Sequence, residues 1–105
     1  MPDKASLDAV DHIAITVNNI QEAVEWYRQH FNCSISYQDE TWAYLEFANV
    51  RLAMVVASEH PSHIGFVVDN ASKYGVLTTH RDGTKSVYIR DPAGNTIEMV
   101  DKTKQ

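Results

Sequence analysis

Two stretches, Asp11–Asn19 (DHIAITVNN) and Ser62–Asn70 (SHIGFVVDN), decide how this chain folds. Laid over one another at a constant offset, His12 falls on His63, Ile13 on Ile64, Val17 on Val68 and Asn19 on Asn70. Ala14 and Gly65 are similar in character, as are Ile15 and Phe66. Both copies alternate in the same way and both end in turn formers, which makes duplication a better explanation than chance. Each copy carries apolar and β-branched residues at period two, the pattern of a half-buried strand. The repeat divides the chain into two related modules, about 7–57 and 60–101. They form a single expected domain over 7–101, with flexible tails at 1–6 and 102–105.

Outward from the first copy, Asn18-Asn19 ends a strand and Asn19 or a neighbour can cap a helix. Ile20, Ala23, Val24, Tyr27 and Phe31 then follow at helical spacing. Three strands are predicted near Ser34–Gln38, Trp42–Phe47 and Val50–Val56, so the first module reads βαβββ. In the second, Lys85–Arg90 and Thr96–Val100 are predicted strands around the turn Asp91-Pro92-Ala93-Gly94-Asn95. Between them, Asn70–Gly83 offers only Ala71-Ser72-Lys73-Tyr74 before Gly75, room for about one or two helical turns. The expected fold class is α+β, with the second helix shortened.

Strand alternation sorts the side chains into two faces. Ile13, Ile15, Leu45, Phe47, Leu52, Met54, Ile64, Phe66, Val87, Ile89, Ile97 and Met99 fall on an aliphatic face expected to pack on helices. His12, Trp42, Tyr44, Glu46, Arg51, His63, Ser86, Tyr88, Arg90 and Glu98 fall on the other. If the sheets curve, that second face lines a polar cavity.

A chain of 105 residues makes one small domain, thinly stable unless a metal ion or a second subunit helps. The net charge of −5, with no run of Lys or Arg, argues against nucleic acid. Cys33 is alone and can form no internal disulfide. The start has no basic region followed by an apolar core, and no apolar run approaches the roughly 20 residues that span a bilayer. The expectation is a soluble cytoplasmic protein.

A single strand histidine is more often a hydrogen-bonded structural residue than a ligand, and a single late-strand glutamate is more often solvated. Equivalence changes the balance, because His12 and His63 hold the same place in two copies of one unit. With Glu98 they would make the two-imidazole, one-carboxylate set that holds a divalent ion and leaves about three positions open. Such an ion acts as a Lewis acid on substrate oxygens or lowers the pKa of a bound water.

These residues are similar to those of the vicinal oxygen chelate superfamily, which includes glyoxalase I, bleomycin resistance proteins and extradiol dioxygenases. The likeness rests on Asp11-His12-Ile13-Ala14-Ile15, Glu25-Trp26-Tyr27 and His63–Val68, and above all on Tyr88-Ile89-Arg90-Asp91-Pro92-Ala93-Gly94-Asn95-Thr96-Ile97-Glu98. The resemblance implies two βαβββ modules forming an open, curved-sheet barrel around a metal. It implies His12, His63 and Glu98 as ligands. The family's fourth ligand position falls on Ala53, by matching Ala53-Met54-Val55 to Glu98-Met99-Val100, and alanine cannot ligate. By this resemblance three ligands point away from glyoxalase I and methylmalonyl-CoA epimerase, which use four, and towards dioxygenases and the fosfomycin-modifying thiol transferases, for which the chain is short. With Mn or Zn the same ligands suit lyase or isomerase chemistry.

The expected function is that of a divalent-metal-dependent enzyme acting on a small substrate that chelates the metal through vicinal oxygens. Fe, Mn, Zn and Ni all suit the ligands. Glu46 is a candidate general base, against pairing with Arg51 or Arg90. Tyr88 is a candidate donor to a bound oxygen, against simple packing. Trp42 and Tyr44 could stack on a planar substrate, although wall packing is the commoner role. His80 could reach a substrate in the shortened module, although a solvated loop residue is the commoner reading. His30 and His60 read as surface residues, and Cys33 has no assigned chemistry. The alternative is a metal-independent small-molecule binding protein of the bleomycin-resistance kind. A homodimer is expected, because the short second half should leave apolar surface uncovered.

Overall fold

The computed structural model describes residues 7–80 and 83–102. The tail segments 1–6 and 103–105 lie outside the described residues, as do Arg81 and Asp82. The first half runs β1 (Ala9–Thr16), α1 (Ile20–His30), β2 (Ser34–Gln38), β3 (Trp42–Glu46) and β4 (Arg51–Val55). The second runs β5 (His63–Val68), a 3₁₀ turn (Ala71–Tyr74), β6 (Thr78–Thr79), β7 (Lys85–Arg90) and β8 (Thr96–Asp101). All eight strands join one open curved sheet in the order β2-β3-β4-β1-β5-β8-β7-β6.

The two halves differ where a helix begins. Asn19 is extended, at φ −141°, and its side chain accepts a hydrogen bond from the Glu22 amide at 2.8 Å. That satisfies one of the free amides of the first turn and starts α1. Glu22 near the start and Arg28 and His30 near the end suit the helix dipole. The counterpart Asn70 adopts the left-handed conformation, φ 60°, and its side chain caps nothing. Asp101 Oδ1 takes the Ala71 amide instead, and Gly75 at φ 151° ends the turn after four residues. The truncation expected from the sequence is thus a change of backbone at the starting residue as well as a shortage of chain.

Sheet register shows the duplication in three dimensions. β1 and β5 pair antiparallel, with His12 opposite Gly65, Ile13 opposite Ile64 and Ala14 opposite His63. An internal two-fold therefore passes through the Ile13/Ile64 pair. β4 runs parallel to β1 with Ala14 beside Ala53, and β8 runs parallel to β5 with Gly65 beside Glu98. Since Ala14 and Gly65 are counterparts, so are Ala53 and Glu98. Tyr44 pairs with Ala53 and Tyr88 with Glu98, which extends the equivalence to the two tyrosines.

The core sits under α1, where Ile20 and Val24 bury against Ala43, Leu45 and Met54. Cys33 packs beside them. The expectation that one face of every strand packs on helices holds for β3 and β4 under α1 and fails over much of the rest of the sheet. Ile13, Ile64, Ile97 and Ile89 form a cross-strand row on the outer face of β1, β5, β8 and β7. Among the described residues no helix covers it, and Ile13 and Ile64 are 37% and 39% exposed. Among the described residues no helix is long and apolar enough to cross a membrane.

Candidate metal centre

The inner face of the sheet encloses a cavity of about 820 Å³, a size suited to a small ligand. Its floor is the pair β1–β5. His12 and His63 rise from it, and Glu98 reaches in from β8. His12 Nε2 lies 3.2 Å from His63 Nε2. Glu98 Oε1 lies 3.0 Å from the first nitrogen and 3.1 Å from the second. The three residues are only 4%, 7% and 6% exposed.

The outer ring nitrogens decide what the inner atoms can be. His12 Nδ1 is 2.8 Å from Asp11 Oδ2, and His63 Nδ1 is 2.8 Å from the Pro61 carbonyl. Both neighbours are acceptors, so each Nδ1 carries the proton and donates it outwards. In the neutral tautomer each Nε2 is then a bare lone pair. Two lone pairs and a carboxylate oxygen within 3.2 Å of one another need a cation between them. Two ligand atoms at right angles, each about 2.1 Å from a common ion, stand about 3.0 Å apart. The observed triangle fits that spacing, and the donor set is the facial pair of imidazoles with one carboxylate.

Asp11 owes its position to a β-bulge. The β1–β5 register slips between Val10 and His12, so Asp11 is the extra residue and both Asp11 and His12 line the cavity. Strict alternation would have put Asp11 on the outer face with Ile13. Its Oδ2 serves His12 Nδ1 and Arg51 Nη2, each at 2.8 Å. The His12 bond and the Arg51 charge hold the Asp11 carboxyl below its ordinary range, against the effect of burial. An ionised carboxylate behind a ligating imidazole fixes the ring and raises its basicity.

Gly65 supplies the room for His12. A Cβ placed there would press on His12 Cε1 and come within 2.8 Å of Nδ1 and 2.9 Å of Nε2.

Burial would raise the Glu98 carboxyl, but its close contacts with His12 and His63, the hydrogen bond from Ser86 and the His12 charge outweigh it. Glu98 is held well below the usual carboxylate range. Ser86 Oγ lies 2.6 Å from Glu98 Oε2, and His80 Nε2 lies 2.6 Å from Ser86 Oγ and 3.4 Å from the same carboxylate oxygen. His80 is therefore not a solvated loop residue. Its backbone amide donates to the Thr84 carbonyl at 2.8 Å, and its side chain lines the cavity. His60 is likewise half-buried in the cavity wall, not on the surface. His30 is exposed, stacked on Trp26.

Tyr88 packs edge-on against His63 at 5.1 Å, as its counterpart Tyr44 packs against His12 at 5.7 Å. Burial, with the negative charge of Glu98 and the proximity of Tyr44, pushes the Tyr88 phenol up, so it keeps its proton and can donate. Tyr37, Trp42 and Tyr44 form an aromatic wall, and the Arg51 guanidinium lies 4.3 Å over the Tyr44 ring. Glu46 lines the cavity opposite Arg51 across β3–β4, outside the buried cluster.

Solved structures with this fold include a hypothetical protein from Bacillus halodurans C-125, at TM-score 0.73 and 15% identity over 93% of this chain and 96% of that one. Methylmalonyl-CoA epimerase from Mycobacterium tuberculosis aligns at TM-score 0.71 and 16% identity, over 91% and 89% of the two chains. A 2,3-dioxygenase from Pseudomonas sp. KL28 aligns at TM-score 0.62 and 16% identity, over 90% of this chain but 42% of its own. These likenesses show the fold, and a sequence-family model spanning residues 9–99 shows the lineage: the chain belongs to the Glyoxalase/Bleomycin resistance protein/Dioxygenase superfamily.

Proposed function

We propose that this protein is a divalent-metal-dependent enzyme acting on a small substrate that presents two neighbouring oxygens to the metal, in dioxygenase or lyase/isomerase chemistry. The observation that supports it most is the convergence of two Nδ1-anchored imidazoles and one carboxylate oxygen within 3.2 Å. A bound ion would supply Lewis acidity, with His12, His63 and Glu98 holding it. Ala53, the counterpart of Glu98, adds no fourth ligand, so the side facing Tyr44 stays open to substrate. Tyr88 donates a hydrogen bond to a substrate oxygen. Glu46 is the base nearest the Arg51 side of the cavity, and Trp42 and Tyr44 flank a planar substrate. Purified protein reconstituted with Fe(II), Mn(II), Zn(II) and Ni(II) should bind one ion per site. Oxygen uptake with catechols under Fe(II) then separates oxygen chemistry from isomerisation. No stoichiometric binding of any of the four ions would overturn the reading.

The aromatic wall of Tyr37, Trp42 and Tyr44 favours a second reading, a metal-independent binder of planar ligands. Ligand binding unaffected by chelator would select it.

The partly exposed isoleucine row across β1, β5, β8 and β7 supports a homodimer, since a small domain rarely leaves such a surface to water. Light scattering at micromolar concentration should give twice the monomer mass. A monomer would count against it.

A further inference from the structure

Ser86 is fully buried beside Glu98 on the inner face, and nothing in the metal reading requires a hydroxyl there. Its position differs between the two halves in a telling way. By register Ser86 stands opposite Val100 and Trp42 opposite Val55, so serine and tryptophan are counterparts, as are Glu98 and Ala53. The half that carries the carboxylate carries the serine. The half that lacks the one lacks the other.

The proton count fixes the direction of the bonds. Ser86 has one hydroxyl proton and two close neighbours, Glu98 Oε2 and His80 Nε2, each at 2.6 Å. An ionised carboxylate has no proton to give, so the hydroxyl donates to Oε2 and His80 Nε2–H donates to Oγ. The same His80 nitrogen is 3.4 Å from Oε2. Glu98 thus has its two oxygens assigned to different work. Oε1 faces His12 and His63, and Oε2 is held from behind by a hydroxyl that is itself held by His80.

We propose that Ser86 and His80 are positioning residues that restrict Glu98 to binding the metal through Oε1 alone, which keeps a third coordination position open for substrate. The inference rests on the metal reading above. Without the serine, Oε2 loses its short bond and is free to turn inwards, and a carboxylate binding through both oxygens occupies two positions. Three open positions then become two. His80 acts through Ser86, because removing it frees the hydroxyl to rotate without deleting the hydroxyl.

Water counting tests this without turnover. Mn(II)-loaded protein examined by electron paramagnetic resonance in ¹⁷O-enriched water reports how many waters sit on the ion. Wild type is expected to hold about three, and Ser86→Ala about two. Ser86→Thr, which restores a hydroxyl, is expected to return the count to that of wild type. His80→Leu is expected to give an intermediate count, and it serves as the second probe should Ser86→Ala fold poorly. Wild-type counts in both Ser86→Ala and His80→Leu would overturn the positioning role and leave the metal site standing. A wild-type protein that binds no Mn(II) would overturn the metal reading and this inference with it.

Discussion

Replacing Gly65 with alanine is expected to weaken divalent-metal binding by at least about a hundredfold while leaving the sheet folded. Gly65 lies directly opposite His12 in the β1–β5 pair, and a methyl there would press on three atoms of the imidazole. The ring cannot simply yield. It is 4% exposed, and its Nδ1 is tied to Asp11 at 2.8 Å. Relief requires the ring to rotate out of the Asp11 bond, which carries Nε2 away from His63 and Glu98. Loss of an outer hydrogen bond alone costs a metal site about 10–100-fold in affinity, and here the ligand atom moves as well. The backbone is not the obstacle, since Gly65 is not among the glycines with positive φ and its counterpart Ala14 already sits beside His63. Metal affinity measured by competition with a chromophoric chelator, alongside circular dichroism, separates the two effects. Wild-type affinity in folded Gly65→Ala would show that the ring has room the packing denies it.

Much of this site was legible in the sequence because a repeat converts spacing into symmetry. Once His12 and His63 occupy equivalent places, strand alternation puts them on one face, and an antiparallel β1–β5 pair brings them together. Glu98 followed from the ending Tyr88–Glu98, and the absent ligand at Ala53 is matched by the register of β4 on β1. What was not legible depends on events that a period cannot express. Asp11 reaches the cavity because one residue is inserted into the ladder, and a bulge leaves no mark in the alternation of apolar residues. Ser86 lay on the correct face, yet a small hydroxyl carries no signal until its neighbours are known. His80 is held by a backbone hydrogen bond to Thr84 and a side-chain bond to Ser86, features no pattern of apolar residues encodes. The uncovered isoleucine row has the same origin. Its strand pattern matches that of the first half, and the left-handed Asn70, Gly75 and the shortness of the intervening chain together withhold the helix.

Metal is expected to stabilise the protein more strongly as pH rises from about 6.5 to 9, the reverse of the metal-free protein's own trend. Burial disfavours charge on His12, but the hydrogen bonds it donates to Asp11 and Glu98 and their negative charges outweigh it, and its pKa is raised to about 9 from 6.5. Without metal, that proton is the cation the cluster needs. A group whose folded pKa is raised contributes stability that is fully present below pH 6.5 and is lost as pH climbs through 9, here roughly 3 kcal/mol. A metal ion claims the same Nε2 lone pair, so binding must displace the proton. Apparent affinity should therefore rise about tenfold per pH unit across that window and level off above it. A hundredfold gain in affinity at fixed excess metal adds about 2.7 kcal/mol to the stabilisation, readily seen as a larger metal-induced shift in Tm. Thermal melts with and without Mn(II) across this range, and calorimetry in buffers of different ionisation enthalpy, measure the stabilisation and the released proton. His63→Ala should show no Mn(II)-dependent shift at any pH, since two ligands remain where three converged. A metal-induced shift that is flat with pH in the wild type would mean that no proton leaves His12 when the ion arrives, and that the ion sits elsewhere.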